Sequence, residues 1–276
     1  MAPVTARHPD ADLLVFRHQK VQRLRRLLSR RSARQADGVF VVEGAKVLGV
    51  ALDAGVVVES VYVGEPSAHD DPVVARALDA GVPVYELAPG VIDRVADTVT
   101  PQPVMAVVRT NDVALPSLRG ATMLVVAVDV RDPGNAGTLL RSAGAAGAGG
   151  VVFCDGSVDV FNPKTVRASA GSLFHVPVVA GGAAVAVLDE IAGWGVHRLG
   201  TIAAGGLDYA DADLTAPVAF VLGNEAHGLD GDTLAGSVDG LVTIPMDGRA
   251  ESLNVGVAAA VLCFEAARQR RQKAAA

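Results

Sequence analysis

The chain has 276 residues, half of them apolar, with 24 Lys and Arg against 30 Asp and Glu and a formal charge of −6. It is long enough to bury a core. With 2 Cys, only 7 Phe, 3 Tyr and 1 Trp, and no short period, it is not a disulfide-stapled, disordered or collagen-like chain. An acidic total argues against nucleic acid as a partner only where the charge is evenly spread, and here it is not.

Residues 1–12 read as a flexible tail without the apolar core or cleavage site of a secretory leader, and no apolar run is long and unbroken enough to span a membrane. A soluble, cytoplasmic protein is expected. Residues 13–36 contain no Asp or Glu but eight basic side chains: Arg17, Lys20, Arg23, Arg25, Arg26, Arg30, Arg31 and Arg34. A basic arm of +8 therefore precedes a body of −14. Val21, Leu24, Leu27 and Leu28 recur at helical spacing, so one face can pack while the charges project outward. That face is either a solvated helix surface or, because eight like charges repel one another, a surface that a phosphate backbone stabilises.

Strands are expected at Val39–Glu43, Ser60–Val63, Val82–Glu86 and Val104–Val108, and helices over Ala45–Ala54, Pro72–Ala80 and Pro89–Ala96. This alternation predicts a small α/β domain over residues 13–110. The polar, Pro-containing residues 111–120 read as a linker. A second α/β series fills 121–276, with strands at Met123–Val128, Val151–Phe153, Val196–Thr201, Val218–Leu222 and Leu241–Ile244. Its helices are expected over Ala136–Ala146, Lys164–Ala170, Ala183–Ala192 and Val255–Arg270. Continuous apolar strands such as LVVAV belong to a parallel sheet covered on both faces. The terminal RQRRQKAAA reads as a frayed helix end.

In open α/β sheets ligands gather at the carboxyl ends of strands, and three loops there carry unusual polar residues. In VDVRDPGNAGTLLRSAGAAG, Pro133-Gly134-Asn135 makes a tight turn, Asn135 is placed to cap the next helix, and Arg141 follows on that helix. In VLGNEAHGL, Gly223 follows a buried strand directly; Asn224 and Glu225 are either a cap and a first-turn acid or functional groups. The third loop, Ile244 to Asn254, puts Ser252 and Asn254 where caps belong. Asp247, Arg249 and Glu251 make it more polar than capping requires. Dinucleotide, P-loop, nucleophile-elbow and zinc spacings are all missing, so no metal is expected. Cys154 and Cys263 lie in apolar stretches and read as core thiols.

Taken in order, DPGNAGTLLRSA, VLGNEAHGL and IPM-x-G-x-x-ESLNV-x-VA resemble the SpoU (TrmH-like) branch of the SPOUT RNA methyltransferases, over roughly residues 121–270. The stretch FNPK…RASAG from Phe161 to Gly171 is similar to the family's intervening segment. Residues 13–110, with FVVEGAKVL after the basic helix, resemble the substrate-binding domain often fused in front, itself similar to a small ribosomal RNA-binding protein. The resemblance implies an α/β fold with a deep trefoil knot in the catalytic domain, a homodimer, and S-adenosylmethionine-dependent methyl transfer to a ribose 2′-hydroxyl. It assigns catalysis to Asn135, Arg141, Glu225, Ser252 and Asn254, and cofactor binding to Leu222, Gly223, Asn224, Ile244, Met246, Ser252 and Leu253. The fused front domain favours 23S ribosomal RNA. Transfer RNA, or a non-catalytic RNA-binding or ribosome-assembly factor of the same fold, are the alternatives. Because the body is acidic, RNA contact is expected to rest on the eight basic side chains of the arm together with Arg131, Arg141, Lys164 and Arg167.

Overall fold

A computed structural model describes residues 13–224, 227–229 and 236–275. The chain divides into two compact units between Thr110 and Asn111.

The first unit opens with α1 (Gln19–Ser29) and α2 (Arg31–Asp37). The basic segment is thus two helices where a single one was expected, because Arg30 takes an extended conformation (φ −126°, ψ 118°) between them. His18 caps α1 by accepting from the Lys20 amide. Val21, Leu24, Leu27 and Leu28 form its buried stripe, packed on Val39 and Val41 of β1 (Val39–Glu43). At about 2 kcal/mol for each buried aliphatic side chain, that stripe outweighs anything surface charges can contribute. The sheet is completed by β2 (Val58–Val63), β3 (Val84–Glu86) and β4 (Val104–Arg109), in the order β1-β4-β2-β3. β4 is antiparallel to both neighbours, and β3 joins β2 in parallel. Helices α3 (Ala45–Asp53), α4 (Pro72–Asp79) and α5 (Val91–Val95) connect the strands. Glu43, buried at the end of β1, accepts from the Thr98 hydroxyl and the Gln102 amide and so ties down the loop entering β4.

The second unit is a seven-stranded parallel sheet. Its strands are β5 (Met123–Ala127), β6 (Gly150–Phe153), β7 (Val178–Ala180), β8 (His197–Thr201), β9 (Leu207–Asp208), β10 (Val218–Leu222) and β11 (Gly240–Thr243), in the order β7-β6-β5-β10-β8-β11-β9. β5 and β10, buried along their whole lengths, lie at its centre. The helices are α6 (Pro133–Ala146), α7 (Pro163–Ser169), α8 (Ala184–Ala192) and α9 (Val255–Ala275). Residues 111–120, expected as a linker, pack onto this unit. The Val113 amide donates to the Val178 carbonyl, and Leu115 and Leu118 lie against the apolar cluster under α8.

α6 and α9 lie close together: a Cβ at Gly256 would fall 2.8 Å from the Thr138 side chain. The end of α9 does not fray. Arg270 donates to the carbonyls of Thr122, Leu214 and Ala216, Gln269 to that of Ala212, and Lys273 to the Thr215 hydroxyl. The Thr122 carbonyl at the foot of β5, which also accepts from the Val218 amide, and carbonyls of the segment before β10 are thereby tied to α9.

Candidate active site

β8, β10 and β11 end at a common cleft of about 780 Å³, a size suited to a small organic ligand. Leu222, Gly223 and Asn224 line it after β10, and Ile244, Met246, Ser252, Leu253 and Asn254 line it after β11. Asn135 enters from the start of α6. The seven residues expected to hold a cofactor therefore share one wall system.

Each loop is held by identifiable bonds. The Asn254 side-chain oxygen accepts from the Gly256 and Val257 amides at 3.0 and 3.3 Å, capping α9, while its amide donates to Asn135 Oδ1 at 2.6 Å. Asn135 is not the cap of α6. Asp132 fills that role, accepting from the Asn135 backbone amide at 2.8 Å, with Pro133 at the first helical position. The Asn135 side chain is thus free of the capping role and reaches Asn254. Asn224 likewise ties loops together: its side-chain amide donates to the Asp129 carbonyl and carboxylate at 2.9 and 3.1 Å. Its backbone exchanges two hydrogen bonds with Gly228. Gly223 allows that closure, since a Cβ there would strike the backbone of Gly228 and Leu229.

One catalytic expectation is not brought to the cleft of its own chain. Arg141 lies on the exposed side of α6, nearly two turns beyond Asn135, and does not line the cleft. Glu225 lies outside the described residues. Ser252 and Leu253 sit at the open lip. Sequence reasoning missed Thr201–Ala204, which form the wall beyond β8 and are anchored by the Thr201 hydroxyl on the Val221 carbonyl. Their signal was present: small residues immediately after a buried parallel strand.

The donor set suits S-adenosylmethionine. Leu222, Ile244, Leu253 and Leu262 offer aliphatic walls to a flat purine, and Gly223 brings bare backbone to the surface. Nothing here favours a thiol nucleophile, because burial pushes Cys154 and Cys263 up to about 12. Among the described residues no three His, Cys, Asp or Glu side chains cluster as metal ligands.

In the first unit Arg17, Lys20, Arg25, Arg26, Arg30 and Arg31 are exposed. Two of the eight basic residues depart from the expected outward face. Arg34 is 3% exposed and donates to the Leu27 carbonyl, closing α2 onto α1. Arg23 pairs with Asp37 at 2.8 Å and Glu59 at 3.2 Å. Lys164 is exposed and Arg167 half-buried on α7, whose cap is Asn162.

The profile of the SpoU rRNA Methylase family matches residues 122–264, more than half of the chain. The chain belongs to this family. The MRM3-like substrate binding domain matches residues 18–106 in front of the SpoU portion. Among SpoU relatives, the 23S rRNA (guanosine(2553)-2′-O)-methyltransferase RlmP of Bacillus subtilis is 35% identical, covering 90% of this chain and 96% of that protein. The 23S rRNA (uridine(2479)-2′-O)-methyltransferase of Streptomyces viridochromogenes is 33% identical over 96% of this chain and 94% of its own length. Among solved structures, the AdoMet-bound rRNA methyltransferase of Sinorhizobium meliloti superposes with a TM-score of 0.78 at 31% identity, covering 91% of this chain and 94% of that one. The SpoU methyltransferase AviRb of Streptomyces viridochromogenes in complex with AdoMet gives 0.81 at 29% identity, covering 92% and 100%.

Proposed function

We propose that this chain transfers the methyl group of S-adenosylmethionine to a ribose 2′-hydroxyl of 23S ribosomal RNA. The observation that carries the reading is the convergence of Asn135, Gly223, Ile244, Met246, Ser252 and Asn254 on one cleft at the ends of parallel strands. The chain's relatives include two enzymes named for 2′-O-methylation of 23S rRNA.

When bound, the cofactor supplies a methyl group already activated by its sulfonium charge. Main-chain groups of Leu222, Gly223, Ile244, Met246, Ser252 and Leu253 hold its adenosine, and the aliphatic walls exclude water from the base. Asn254 and Asn135 fix the third loop against the start of α6, so the cofactor side and the RNA side keep one spacing. Arg141 grips the phosphate beside the target and orients the ribose. A guanidinium stays protonated at neutral pH, so its contribution is positioning rather than proton abstraction.

Arg141 lies outside its own chain's cleft, and α9, whose start lines that cleft, exposes Val257 and Phe264 two turns apart. We read this as a twofold face that brings Arg141 of one protomer to the partner's cleft. The return of α9 from β11 onto α6, with β10 between β5 and β8, supports a trefoil knot, an exception to the usual unthreaded chain. Among the described residues no helix is long and apolar enough to cross a membrane; a ribosomal substrate puts the enzyme in the cytoplasm.

The test is incubation with methyl-labelled S-adenosylmethionine and either 23S ribosomal RNA or transfer RNA, followed by alkaline hydrolysis. An alkali-resistant labelled dinucleotide from 23S RNA is expected. Label on a base, on transfer RNA alone, or on neither RNA contradicts the proposal.

A further inference from the structure

Three cation–π contacts lie together in the first unit, on one flank of α1. The Arg94 guanidinium, from α5, lies over the Phe16 ring at 3.8 Å from its centroid, and Arg25, from α1, lies over the same ring at 5.7 Å. Beside them the Lys20 ammonium sits 4.5 Å from the Tyr85 centroid, and Tyr85 in turn leans on Tyr62. Phe16 and Tyr85 are both half-buried against the core under α1, so the rings are fixed. The Phe16 carbonyl is held by the Gln22 side chain at 2.6 Å. Arg25, Arg94 and Lys20 are exposed, and none has a carboxylate partner among the described residues.

A ring restrains a long cationic side chain without neutralising it. Held over Phe16 at 3.8 Å, the Arg94 guanidinium keeps donors for phosphate and a planar surface for a stacked base. We infer that the Phe16–Arg94–Arg25 stack, flanked by Lys20 and Tyr85, seats an unpaired nucleotide of the RNA substrate, the base lying on guanidinium and the phosphate on the cationic rim. This inference rests on the reading of the chain as an RNA methyltransferase and adds to it a preference for single-stranded RNA. It also brings in Arg94, which lies outside the basic arm.

The experiment compares the whole chain with R94K and R94A in binding a single-stranded RNA of about 12 nucleotides and the duplex of the same sequence, at two salt concentrations. Lysine keeps the charge but not the plane. R94K is expected to bind the single strand about tenfold more weakly, with its salt slope unchanged and its duplex binding intact. R94A should lose at least as much and show a salt slope shallower by about one. Arg94 is exposed, so the fold should tolerate both changes, and unchanged thermal melting checks this. R94K binding the single strand as tightly as the unaltered chain overturns the inference, whether or not R94A is impaired. An equal loss for single strand and duplex also overturns it. Methylation of 23S RNA by the unaltered chain separates this failure from failure of the enzymatic reading.

Discussion

In the second unit Arg131, Arg198 and Arg268 each lie against a carboxylate, whereas in the basic segment Arg17, Arg25, Arg26, Arg30 and Arg31 have none among the described residues. The Arg198 guanidinium grips Asp239 closely enough to hold its carboxyl at about 2, far below the usual carboxylate range. One unit thus spends its arginines internally and presents a cofactor cleft built from backbone, amides and aliphatic groups. The other, although its acidic and basic residues balance over the whole unit, keeps most of its basic segment without carboxylate partners, at a cost in self-repulsion that an external polyanion relieves. Arg23 and Arg34 show that position rather than residue type decides: they sit in the same basic segment but are used within the fold. Arg141 is the converse, an exposed arginine of the second unit that has no carboxylate partner among the described residues.

The largest effect expected is on the cleft. Gly223→Ala forces the β10 loop off Gly228 and should weaken S-adenosylmethionine binding by calorimetry by about 100-fold or more, while RNA binding through the first unit persists. Loss of both together would break the division of labour. Arg141→Lys should lower turnover by about 100-fold with cofactor affinity unchanged; near-full turnover would remove the planar guanidinium from the account. Neutralising Arg25, Arg26, Arg30 and Arg31 to Gln should flatten the dependence of RNA affinity on salt by about three units of slope, with cofactor binding intact. By contrast, Arg34→Gln should leave that slope alone and lower folding stability by about 1–3 kcal/mol, read by chemical denaturation. The smallest effect concerns Asp239. Its folded-state value lies below the unfolded one, so its contribution is complete above about pH 4 and is lost as pH falls toward 2. Asp239→Asn should flatten the melting temperature across that acid window and barely change its pH dependence at neutrality.

How much was legible beforehand follows from what each feature depends on. The apolar stripe of α1 and the central strands β5 and β10 depend on local pattern, and their positions were readable. Strands β7 and β9, three and two residues long, are too short to carry a period. The break at Arg30 falls between segments of equal helical character, with no Gly or Pro to mark it. Asn135 was misread as a cap although Asp132-Pro133 is the stronger start signal. The firm end of α9 depends on carbonyls more than 50 residues away, and the contact between Asn135 and Asn254 spans 119 positions. No local pattern encodes which loops meet, so the cleft was legible only through the resemblance of its three motifs.

The central claim, that a substrate-binding unit with a basic arm serves a cleft that methylates ribose, is tested most directly by mapping ribose methylation across ribosomal RNA from cells with and without this chain. The account predicts one 23S nucleotide whose 2′-O-methyl group disappears with the chain and returns with it, but not with the Arg141→Ala form. An unchanged ribose-methylation map would contradict it.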